Sequence, residues 1–119
     1  MKKLLIATIA ATGSHFVLAQ DLAAGQKAFQ ACAACHSTVA GANGVGPSLA
    51  GIVGRKAGSL PGFNFSRAMK ASGITWDEAN LDAYIANPQQ KVPGNHMPYA
   101  GMSDAQQRAA LVAFLKAQH

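Results

Sequence analysis

The run Cys32-Ala33-Ala34-Cys35-His36 constrains this chain more than any other five residues. On a helical turn, residues three and four apart share a face, so two thiols and an imidazole are presented together to one flat ligand. Cys-x-x-Cys-His is the pattern of covalent haem attachment, in which both sulfurs add to porphyrin vinyl groups and the histidine ligates the iron. A bare cysteine pair would also suit a redox dithiol or half a zinc site. Zinc needs four ligands, and beyond residue 19 the chain offers Cys32 and Cys35 with His36, His96 and His119 scattered along it. A thioredoxin-type dithiol needs a strand-helix-strand setting that is missing here. A disulfide across two residues would close too small a loop to stabilise much. One covalent haem c is the cofactor the motif implies.

The N-terminus reads as a secretory signal over residues 1–19: Lys2 and Lys3, an apolar run from Leu4 to Ala11, then Val17-Leu18-Ala19 before a cut at Gln20. Gly13, Ser14 and His15 break that run short of the roughly 18 apolar residues of a membrane span. Residues 20–119 are then the single mature domain, delivered to the periplasm, where haem attachment to thiols is at home. Met1 and His15 drop out as ligands. A domain this small builds a marginal core from side chains alone, so a buried porphyrin is expected to form part of it. The whole chain carries a formal charge of +5, which falls to +3 once Lys2 and Lys3 are removed. Such mild basicity fits acidic partners only weakly.

The order of elements predicts an all-α domain with long loops. A first helix is expected from an N-cap near Asp21 into the motif, with Leu22, Gly25, Phe29, Cys32 and His36 on one face. From Ser37 to Gly62 the chain is glycine-rich, and a structureless stretch of that length in a small domain is expected to wrap something. A short helix should span Ser66 to Ala71, ended by Gly73. Thr75-Trp76-Asp77-Glu78 has the form of a capping box for a helix that stops at Asn87-Pro88. A loop from Gln89 to Gly101 follows, and Ser103-Asp104-Ala105-Gln106 opens a terminal helix with Leu111, Phe114 and Leu115 on its apolar side. No segment alternates like a strand, and there is no internal repeat.

With His36 on one side of the iron, the chemistry depends on the other side. The candidates are Met69, Met97, Met102, His96 and His119. A thioether raises the potential, whereas a second imidazole lowers it. Met69 suits a helix interior, Met102 abuts a helix cap and His119 ends the chain. Met97 lies in Pro93-Gly94-Asn95-His96-Met97-Pro98, a stiff loop suited to holding a side chain over a haem face, and its setting favours it with His96 next.

Taken in order, these motifs resemble a class I cytochrome c of the bacterial cytochrome c2 and mitochondrial branch. The resemblance runs from Cys32-x-x-Cys35-His36 through Gly46-Pro47-Ser48-Leu49, Gly54-Arg55-Lys56-Ala57-Gly58, Gly73-Ile74-Thr75-Trp76 and Tyr84-Ile85-Ala86-Asn87-Pro88. It continues over Pro93-Gly94 with Met97 and Ala100-Gly101 to Leu111-Val112-Ala113-Phe114-Leu115-Lys116. It implies the cytochrome c fold, Met97 as the second ligand, and a Pro47 carbonyl that accepts from the other nitrogen of His36. It further implies that Arg55 and Trp76 hold a haem propionate, that the Tyr84 hydroxyl approaches the Met97 sulfur, and that Gly25 and Phe29 cross Leu111, Phe114 and Leu115. The chain also departs from that pattern. Phe65 stands where many relatives have tyrosine, Met69 where they often have asparagine, His96 where a lysine is common and Tyr99 where a phenylalanine is common. Loss of the lysine weakens a basic docking ring that Lys27, Lys70 and Lys91 partly restore.

The function expected is that of a soluble, monomeric periplasmic one-electron carrier. Its partners would be redox proteins such as a membrane quinol-cytochrome c reductase, a terminal oxidase or a periplasmic reductase. Neither nucleic acid nor a small-molecule substrate is expected. A haem peroxidase or a gas sensor is the rival reading, and each needs an open coordination position.

Overall fold

The computed structural model describes the backbone from residue 13 and side chains from residue 21 to 119, so most of the predicted signal segment lies outside the described residues. Among the described residues there are five helices: α1 (Gly13–Phe29), α2 (Arg67–Ala71), α3 (Glu78–Ala86), α4 (Pro88–Lys91) and α5 (Ala105–Lys116). The only sheet-like pairing among them is an isolated antiparallel bridge between Lys56 and Thr75. None of the described helices is long and apolar enough to cross a membrane.

The first helix does not begin at Asp21, which sits well inside α1. Val17-Leu18-Ala19-Gln20 and Leu22-Ala23-Ala24 are good or tolerable helix formers with no Gly or Pro between them, and one interior Asp costs only tenths of a kcal/mol. The regular helix ends at Phe29, but single turns carry the chain through the cysteines. Cys32 N donates to Phe29 O at 2.8 Å and His36 N to Cys32 O at 2.9 Å.

Helix α1 crosses α5 at Gly25. A Cβ there would lie 2.2 Å from the Ala110 carbonyl oxygen and 2.5 Å from Phe114 Cβ, so any side chain would force the helices apart. One turn on, the Phe29 and Phe114 rings meet at 5.4 Å. The expected crossing of first and last helices is therefore present. Below it, Leu111, Val112 and Leu115 join Leu81, Ile85, Val92, Trp76, Tyr84, Met69 and Met102 in one buried cluster.

Both capping boxes are displaced. Helix α3 is capped by Asp77, whose Oδ1 accepts from Asn80 N at 2.7 Å, and not by Thr75. Thr75 is unavailable because its segment is extended: Ala57 N donates to Ile74 O, Trp76 N to Arg55 O and Gly54 N to Trp76 O, each at 2.8 Å. Helix α5 is capped by Asp104 rather than Ser103, with Oδ1 accepting from Gln106 N and Gln107 N at 2.9 and 3.0 Å. Helix α4 falls inside the predicted loop. Pro88 stops α3 as expected, but it also starts a new turn, since its fixed φ and missing N–H suit the first helical position.

Candidate functional site

The attachment motif and the loop after it form one locally bonded unit. Gly46 N donates to Cys35 O at 2.9 Å and Leu49 N to Ser37 O at 2.8 Å, which folds the glycine-rich segment back on the motif. Ser48, only 1% exposed, holds the fold-back together. Its hydroxyl donates to Val39 O at 2.6 Å and accepts from Ala50 N at 3.2 Å, and its N–H donates to Asn43 Oδ1 at 2.9 Å. This segment folds back on the motif instead of forming helix or strand.

His36 is oriented by that loop. Its Nδ1 lies 2.7 Å from the Pro47 carbonyl oxygen. A carbonyl only accepts, so Nδ1 carries the proton and Nε2 keeps its lone pair for a metal. The ring lies against Gly46, where a Cβ would come 2.4 Å from His36 Cε1 and 2.8 Å from Nε2. Here glycine is required by close approach to an imidazole.

Cys32 and Cys35 are half-buried free thiols, and Cys32 packs on the main apolar cluster. Burial, with the neighbouring Cys35 as a smaller cause, pushes the Cys32 thiol above its ordinary value. A redox dithiol of the Cys-x-x-Cys kind has the opposite shift, toward thiolate. Zinc fares no better, since no group of three or more His, Cys, Asp or Glu side chains converges among the described residues.

The other predicted site residues arrive from distant parts of the chain. Trp76 and Tyr84 are buried with ring centroids 4.9 Å apart, and Tyr84 Oη reaches 4.0 Å from Met97 Sδ. Burial raises the Tyr84 phenol to about 12. Met97 is half-buried and packs on the same apolar cluster as Cys32, Phe65 and Tyr99. Tyr99 has its phenol raised by burial and, secondarily, by the nearby Cys32 sulfur. Met69 and Met102 are buried in the core, while His96 and His119 are exposed.

Arg55 faces the proximal loop. Its guanidinium donates to Ser48 O at 2.9 Å and to Ala50 O, bracing the residues just after Pro47, and burial lowers its pKa. Three further residues shape the site without having been singled out as site residues: Gly46, Ser48 and Asn95. Asn95 alone left a readable sign, being a buried-turn former two residues before Met97.

The residues present suit a covalent haem. Two thiols and an imidazole with a free Nε2 stand on consecutive turns, a glycine leaves room for that imidazole, and a thioether shares their apolar cluster.

The family model for cytochrome c matches residues 22–118 of this chain. The chain belongs to the cytochrome c family. It is 55% identical to cytochrome c2 iso-2 of Magnetospirillum fulvum, over 75% of this chain and 93% of that protein. It is 46% identical to cytochrome c2 of Rhodomicrobium vannielii, over all of this chain and 98% of the relative. Among solved structures, cytochrome cH from Methylobacterium extorquens superposes with a TM-score of 0.77 at 49% identity, covering 81% of this chain and 97% of that one. The predicted all-α cytochrome c fold is thereby borne out. As a cytochrome c, the protein carries covalent haem c and transfers electrons to and from redox proteins; it is not an enzyme.

Proposed function

We propose that this cytochrome c is a soluble, monomeric periplasmic carrier whose haem iron is held between His36 and Met97. In this reading residues 1–19 are removed and residues 20–119 form the working domain. Cys32 and Cys35 hold the porphyrin, and the haem supplies a one-electron ferric/ferrous couple. The Pro47 carbonyl keeps His36 in the tautomer that ligates, and such outer bonds fix ring orientation and ligand basicity. Tyr84 steers the Met97 sulfur. Trp76 and the N–H donors of Arg55 not used on Ser48 and Ala50 hold a propionate. With His36 and Met97 both engaged on the haem, no position would be left for a substrate, so the protein tunes the potential and docks briefly with its partners. Exposed Lys27 and Lys70, with half-buried Lys91, favour partners with acidic surfaces, of the quinol-cytochrome c reductase, terminal oxidase or periplasmic reductase kind.

The observation that carries the reading is the pairing of a His36 Nε2 freed by Pro47 with a Met97 sulfur 4.0 Å from the Tyr84 hydroxyl. The ferric protein should show the weak red band of sulfur-ligated low-spin haem. Met97→Ala should abolish that band, lower the potential and admit carbon monoxide readily. An unmodified protein that is high-spin and binds carbon monoxide avidly would overturn the carrier assignment.

A further inference from the structure

Between Val92 and Met97 the chain runs mostly through solvent, since Pro93, Gly94 and His96 are all exposed. Asn95 is the exception, at 6% exposure. Its side-chain oxygen accepts from Met97 N at 2.8 Å, and its side-chain nitrogen donates to Pro88 O and Val92 O, each at 2.9 Å. Its own backbone is held as well. Asn95 N donates to Val92 O at 3.1 Å, and Asn95 O accepts from Gln89 Nε2 at 3.1 Å. Every polar group of this residue is engaged, and the side chain joins the carbonyls of Pro88 in α4 and of Val92, the residue that caps it, to the backbone of Met97.

We propose that Asn95 is the positioning residue of the Met97 thioether, fixing the Met97 backbone against α4 and so setting how firmly the sulfur is held. The proposal rests on the reading of Met97 as an iron ligand and names what keeps it there. The carboxamide is suited to this task because it offers one acceptor and two donors at a single short reach. An aspartate would turn carboxylate oxygen toward two carbonyls, and an alkyl side chain would leave Met97 N without its acceptor and take one donor each from Pro88 O and Val92 O, which keep their bonds from Val92 N and Asn95 N. The Tyr84 hydroxyl, at 4.0 Å from the sulfur, is the weaker restraint.

The test uses the haem-loaded ferric protein at one fixed pH, with imidazole as the competing ligand and the red band as readout. Asn95→Ala should weaken the band and raise imidazole affinity between about threefold and tenfold, the range of one or two lost hydrogen bonds. Asn95→Ser keeps a hydroxyl able to accept from the N–H two residues on, and should recover part of both signals. Leu115→Val trims a buried side chain near the far end of α5, and should lower stability without changing imidazole affinity. Equal imidazole shifts in Asn95→Ala and Leu115→Val, or no shift in Asn95→Ala, would overturn the proposal. If Asn95→Ala fails to load haem, Asn95→Ser decides, an affinity identical to the unmodified protein counting against. A red band that survives Met97→Ala would instead sink the ligation reading itself.

Discussion

His36 and Met97 are held in opposite ways. The His36 ring is oriented by the Pro47 carbonyl, within a short piece of chain, residues 35–55, folded back on the attachment motif through Gly46, Pro47, Ser48 and Arg55. Met97 depends on Tyr84 from α3, on Asn95 tied to α4, and on an exit held by α5. There Arg108 donates to Met102 O and Ser103 O at 2.9 Å and pairs with Asp82 of α3 at 2.8 Å. Closing short loops costs less entropy than joining distant elements, and segments resting on few distant anchors open first. The imidazole side is therefore the fixed wall of this site, and the thioether side is the one whose grip is adjustable.

Three substitutions break or sharpen that contrast. The largest effect is expected from Gly46→Ala, whose Cβ would enter the His36 ring at 2.4 Å. It should cost about 1–3 kcal/mol in thermal unfolding of the haem-loaded protein, the usual range for overpacking. An unchanged melting temperature would mean the imidazole side yields easily, and the contrast would fail.

Arg108→Ala should come next, at about 1–2 kcal/mol for two carbonyl bonds and a partly exposed ion pair. In a urea titration the red band should disappear before the helical signal does. Coincident loss of the two would show that the Met97 loop has no separate weakness.

Tyr84→Phe should have the smallest effect near neutral pH, because the contact it removes is long. Its signature is alkaline. Burial raises the Tyr84 phenol from 10.0 to about 12, so the unfolded chain releases this proton first as pH rises. The stabilisation is complete below pH 10 and is lost progressively up to about 12. Urea midpoints across that window should fall less steeply in the Phe variant than in the unmodified protein.

The sequence showed some of this architecture clearly and hid the rest for physical reasons. Cys32, Cys35 and His36 are legible because two thiols and an imidazole within five residues are a local pattern. Gly25 is legible too, lying in a stripe with Phe29. The caps were misplaced by one or two residues because Thr75 and Ser103 are drawn into other contacts, Thr75 by its bridge to Lys56 and Ser103 by the Arg108 guanidinium on its carbonyl. Helix α4 was missed because proline marks both the end of one helix and the start of the next. Ser48, Asn95 and Arg108 matter through side-chain bonds to nearby backbone groups, which no hydrophobic period reveals, although Asn95 is legible as a turn former. The resemblance implies a propionate contact for Arg55, and the structure gives it bonds to the Ser48 and Ala50 carbonyls, a brace's position.

The crossing at Gly25 ties the attachment motif to the far end of the chain. Ala110 and Phe114, which close over Gly25, follow the motif in the chain and are made after it. Until they emerge, α1 has nothing to dock on, and the two thiols at its end remain within reach of whatever joins them to the porphyrin. The order of manufacture is thus written into the contact between α1 and α5: modification can precede closure, and closure waits for α5.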